Sequence, residues 1–176
     1  VDDMSEKDYP ADHAEFIRRQ QLLLIAADQK LSALEARLFA GASFNQSLWD
    51  GAKKNIDDAA KALCTFDLDV LIGGLTFKPF ILLGLVIYLE TLNRILKRQQ
   101  AIRNRLSLFL LDFDKQFLDN LHFDNLFLPV INLIRCRLKR IIEDMDATIE
   151  KNRFVFYLLK EKQWCLELKA LSALMK

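Results

Sequence analysis

The residues best suited to chemistry in this sequence are two basic runs. The first holds Arg94, Lys97, Arg98, Arg103 and Arg105, with no acidic residue between 94 and 105, and the second holds Arg135, Arg137, Lys139 and Arg140. Guanidinium groups grip carboxylates and phosphates through two parallel hydrogen bonds, so these positions form the candidate surface for an anionic partner. On neighbouring helices the two runs would merge into one patch. The plainer expectation is two solvated helix faces, with Asp57, Asp58, Glu143 and Asp144 as acidic partners. Nucleic acid is a poor fit. The runs carry no interleaved aromatics for base stacking, and the formal net charge is only +1, whereas a nucleic-acid binder is basic over a whole face.

Other reactive groups are few. Asp112, Asp114, Asp119, His122 and Asp124 make an acidic patch, and Asp119 and His122 share the i, i+3 spacing of half a di-metal motif. A carboxylate bundle site needs two such motifs and two further carboxylates, and a calcium loop counted from Asp112 would meet Phe117 where it needs glycine. No metal and no cofactor is expected. His13 lies between Asp12 and Glu15 and reads as surface. The cysteines, Cys64, Cys136 and Cys165, are odd in number and far apart; they read as buried reduced thiols in a reducing, cytoplasmic compartment. The sequence has no glycine-rich phosphate loop and no Gly-x-Ser-x-Gly elbow. An enzyme built from carboxylates that meet only in space is the third of three functional expectations.

Long helices must position these groups. With 5 glycines and 3 prolines in 176 residues, turn residues are too scarce for a β-rich domain. A hydrophobic share of 52% supplies a core. The clearest element is a seam over residues 81–113, Ile81, Leu85, Tyr88, Leu92, Ile95, Ile102, Leu106, Phe109 and Phe113, in alternating steps of four and three. That period is a helix burying one stripe against other helices, about 50 Å long. Gln99 is its one polar interruption and should find a partner; replacing it by Leu is expected to raise the melting temperature and loosen packing uniqueness. Pro79 should open this helix, not sit inside it.

An earlier helix over residues 11–40 shows Ile17, Leu24, Leu31 and Leu38 every seven residues, with Ala27 and Leu34 between, and Gly41 as its stop. The next buries Leu48, Ala52, Ile56, Ala59 and Leu63, with Ser47 and Asp50 as a weak capping box. A short helix is expected over 68–75. Pro129 opens another that buries Val130, Ile131, Ile134, Leu138, Ile141 and Met145. A hairpin or kink is expected in the polar interval 143–152. The last helix is expected to bury Phe154, Tyr157, Leu158, Trp164, Cys165, Leu168 and Leu171, which leaves Phe156 and Leu159 as a candidate apolar partner surface.

The fold expectation is therefore an all-α, mainly antiparallel bundle of five to seven helices around one long central helix. It forms a single domain over 1–176 with a loose lead-in over 1–10. Residues 1–10 are polar and acidic, unlike a signal peptide, and Val1 at the start suits an excised domain or a processed product. The leading functional expectation is a non-enzymatic interaction module that binds a protein partner or self-associates, a homodimer being one ordinary way to cover surplus apolar faces. The alternative is a membrane-active protein. Its apolar stretch 70–89, interrupted by Lys78-Pro79, would insert as a hairpin beside the first basic run, which anionic lipid attracts.

Overall fold

The computed structural model describes residues 13–65, 79–118 and 128–175. These form helices α1 (His13–Phe39), α2 (Gln46–Thr65), α3 (Pro79–Leu118) and α4 (Leu128–Leu174), and no strand occurs among the described residues. The protein is all-helical.

Each boundary has a local cause. Gly41 stops α1 in the left-handed region at φ 81°. The Gly41 N–H donates to the Leu38 carbonyl at 3.1 Å and the Ala42 N–H to the Arg37 carbonyl at 2.8 Å. This is the paired closure that a glycine after the last helical residue permits. Asn45 starts α2: its Oδ1 accepts the Leu48 N–H at 3.2 Å. The cap is therefore Asn45, not the expected Ser47, and Asp50 instead accepts from Gln46 Nε2 at 2.8 Å. Pro79 is the first residue of α3, and Pro129 lies in the first turn of α4, where a missing N–H costs nothing. The expected short helix over 68–75, residues 70–78 of the stretch 70–89, and Asp119, His122 and Asp124 of the acidic patch lie outside the described residues.

The direction of each helix follows from its contacts. Lys30 lies against Gly51, so α2 runs back along α1. Ile17 lies against Gly84 and Arg98 pairs with Asp28, so α3 runs parallel to α1. Arg103 pairs with Asp146 and Arg135 with Asp114, so α4 runs antiparallel to α3. Asp57 meets Lys151 on the side where α2 and α4 pack. Two antiparallel hairpins, α1–α2 and α3–α4, thus lie side by side around one core.

The seam of α1 is buried as expected, and so is the α3 seam at Leu85, Tyr88, Leu92, Ile95, Ile102 and Leu106. Gln99 is fully buried, and its Oε1 accepts from Asn152 Nδ2 at 3.2 Å across the α3–α4 interface. The seam then leaves the core. Phe109 is exposed and Phe113 half-buried, because α1 has already ended and none of the described residues replaces it on that side.

Four expectations are corrected. The described residues hold four helices, not five to seven. The interval 143–152 neither breaks nor kinks into a hairpin. Met145, Thr148, Ile149 and Asn152 stay inward there, and α4 continues for 47 residues, longer than the 40 of α3, so no single helix is the long one. The C-terminal half of α4 faces the opposite way from the expectation. Val155, Leu159, Gln163 and Leu166 are buried, while Phe154, Tyr157, Trp164, Leu168 and Leu171 are exposed. Both faces carry a four–three repeat, and the inner one looks weaker in sequence because Asn152 and Gln163 interrupt it. Finally, Cys64, Cys136 and Cys165 are free thiols at exposed positions, not core residues.

Candidate functional site

A mismatch of helix lengths makes a concave surface at one end of the bundle. α1 has 27 residues and α2 has 20, whereas α3 and α4 have 40 and 47. Once Gly41 turns the chain away, the C-terminal end of α3 and the N-terminal end of α4 run on with one side uncovered by the other described helices. The result is a groove of about 720 Å³ at that end of the bundle. Leu38 and Phe44 come from the α1–α2 corner, Leu106 and Phe109 from α3, and Ile134 and Ile141 from α4; Arg137, Arg140 and Asp144 stand on the rim. A smaller recess of about 120 Å³ adjoins it past Phe109, with Arg105 and Asp112 on its walls.

The basic runs do not form one patch. Arg98 pairs with Asp28 and reaches Glu35 at 3.5 Å, which ties α3 to α1. Arg103 meets Asp146 at 2.8 Å and Arg135 meets Asp114 at 2.9 Å, both joining α3 to α4. These three arginines are half-buried structural ties, and their partners are not the acids expected from sequence. Asp57, one of those acids, meets Lys151 instead, at 3.5 Å. Arg105 lies over the Phe39 ring, 5.7 Å from its centroid, which shields part of an otherwise exposed aromatic. Arg94, Lys97 and Lys139 are exposed away from the groove, and Arg137 and Arg140 are exposed at its rim. Among the described residues neither Arg137 nor Arg140 has an ion pair.

The candidate apolar surface is also redistributed. Leu159 is in the core at 0% exposure and Phe156 packs against the core, half-buried. The exposed apolar side chains are instead Phe109 in the groove, Leu133 and Ile134 on the first turns of α4, and the outer stripe beginning at Phe154. The groove was readable only in part from sequence. Gly41 announced where α1 stops, but nothing in a linear pattern shows that Phe109 then loses its cover.

The groove's lining combines apolar and basic groups. An apolar floor favours burial of aliphatic or aromatic groups, and two unpaired guanidinium groups favour carboxylates beside them. Among the described residues no three His, Cys, Asp or Glu side chains converge on a common point. Tyr88 is buried with no hydrogen-bond partner for its hydroxyl, and burial pushes its pKa far above the ordinary phenol value, with Cys64 adding to the rise; it stays a neutral core group. No described helix is long and apolar enough to cross a membrane. The chain matches no protein-family model, no curated protein and no solved structure.

Proposed function

We propose that this chain is a non-enzymatic helical-bundle interaction module, and that its end groove receives an acidic, amphipathic segment of a protein partner. One observation carries this reading: an apolar floor open to solvent, with Arg137 and Arg140 unpaired on its rim. An amphipathic helix lays its apolar face into such a groove through residues one turn apart. Acidic residues on its flanks would meet the two arginines, speeding encounter more than adding affinity, with an effect that fades as salt screens it.

The test uses a labelled helical peptide with leucines on one face and glutamates on its flanks. Fluorescence anisotropy should give saturable binding that weakens as salt rises. The variant Arg137→Glu/Arg140→Glu should weaken it about tenfold, from the loss and reversal of two rim charges, with circular dichroism unchanged. Equal binding of a lysine-flanked peptide, or binding indifferent to salt and to both reversals, contradicts the reading.

A further inference from the structure

The C-terminal half of α4 has two heptad faces, and the bundle uses only one. On the outer face Phe154, Tyr157, Glu161, Trp164, Leu168 and Leu171 alternate in steps of three and four. The apolar five are 69%, 67%, 56%, 66% and 56% exposed. Such a stripe, sustained over five helical turns, is the seam by which one helix packs along another. Single exposed apolar residues need no explanation, but a contiguous in-register row marks an interface. The seam has a polar boundary, since the same face continues upstream as Glu150 and Ala147.

We propose that this face pairs with the same face of a second copy of the chain, antiparallel, about a two-fold axis. This rests on reading the chain as an interaction module but uses a surface separate from the groove. Orientation and register follow from three charges. Packing of antiparallel seams sets Phe154 opposite Leu171 of the second copy, Tyr157 opposite its Leu168, and Glu161 opposite its Trp164. In that register Lys160, which flanks the seam, meets Glu167 of the second copy, and the two-fold axis repeats the pair. Lys160 and Glu167 are half-buried at the same edge of the seam, seven residues apart, and neither has an ion pair among the described residues. Glu167 has only the Gln163 amide, at 3.0 Å. Parallel pairing fails on the same residues. It would place Glu161 against Glu161 in one layer and set Lys160 opposite Cys165 and Glu167 opposite Ser172, with no charge satisfied.

The size of the face also suits a second copy. Aromatic side chains bury about 150–250 Å² each when fully covered, so the exposed parts of these residues offer roughly 700 Å² per chain. A stable pairwise interface uses about 800 Å² per partner. An isologous two-fold contact satisfies each chain at once and closes without propagating.

Sedimentation velocity on the full chain across micromolar concentrations tests this. The expected result is a reversible shift from 20.4 kDa to twice that mass. Trp164→Glu/Leu168→Glu should hold the chain at the monomer mass with helicity unchanged. Lys160→Glu alone and Glu167→Lys alone should each weaken dimerisation about tenfold. The double exchange Lys160→Glu/Glu167→Lys should restore it. A monomer at all concentrations, a dimer that survives Trp164→Glu/Leu168→Glu, or single reversals that the exchange does not rescue would each overturn the proposal. So would a monomer that binds anionic vesicles through Trp164, since the stripe would then meet lipid. None of these outcomes bears on the groove, which the peptide titration reads separately.

Discussion

Replacing the buried Gln99–Asn152 pair tests what the interior polar layer between α3 and α4 does. The two side chains share one hydrogen bond of 3.2 Å, from Asn152 Nδ2 to Gln99 Oε1, and leave Gln99 Nε2 and Asn152 Oδ1 unpaired in the core. Each unpaired buried atom costs about 1–3 kcal/mol, while the bond they do make contributes only about 1 kcal/mol. Gln99→Leu relieves one orphan but removes the only partner of Asn152, so the two effects roughly cancel and stability should fall by about 0–1 kcal/mol. This reverses the rise expected from sequence, where Asn152 was not known to face Gln99. Gln99→Leu/Asn152→Leu relieves both orphans and adds apolar burial, and should stabilise by about 2 kcal/mol, or ~5 °C in Tm for a chain of this size. The layer's other role is register. Sliding α3 by one heptad against α4 would put Gln99 opposite Leu159 or Met145, with no polar partner. The double variant should therefore melt higher but less cooperatively, with broadened and less dispersed amide resonances in NMR spectra. Thermal melts of Gln99→Leu, Asn152→Leu and the double variant complete a double-mutant cycle. A double variant less stable than the wild type would show that the polar layer stabilises the core on balance, contrary to this expectation.

Three further outcomes follow. Leu159→Ala should cost about 2–5 kcal/mol by denaturant titration, as a core truncation, whereas Leu133→Ala on the exposed face of the same helix should stay within about 0.5 kcal/mol; equal costs would mean α4 is rotated. Gly84→Ala should destabilise by about 1–3 kcal/mol because its Cβ would lie 2.8 Å from Ile17 Cγ2 in the close α1–α3 contact, and a neutral result would show that contact to be loose. Gly51→Ala should stabilise by about 0.5–1 kcal/mol, since the atom its Cβ meets at 2.9 Å is the mobile Nζ of Lys30; a loss above 1 kcal/mol in the same melt would contradict this.

The residues explain which features could be read from sequence. The α1 seam, the Gly41 stop, the Pro79 start and the inward Gln99 are local signals, carried by period and by backbone chemistry, and all appear in the structure. Trp49 was missed although it is 1% exposed, because Leu48 beside it fits the same stripe. The faces of α4 were exchanged because the helix is amphipathic twice. Phe154, Tyr157 and Trp164 make the more apolar row, yet the row containing Asn152 and Gln163 continues the phase set by Leu138, Ile142 and Met145. Following that phase through the polar interval would have kept α4 whole and placed Leu159 inside. The ion pairs of Arg98, Arg103 and Arg135 were invisible for another reason: they depend on which helices are neighbours, and that is a tertiary fact.

Amide chemical-shift mapping with the glutamate-flanked peptide decides whether the end groove is the partner-binding surface we propose. Shifts should cluster at residues 38–44, at Leu106 and Phe109, and along 134–144, and should shrink together as salt rises or when Arg137 and Arg140 are reversed. Shifts confined to the outer stripe of α4, or absent at saturating peptide, would contradict it.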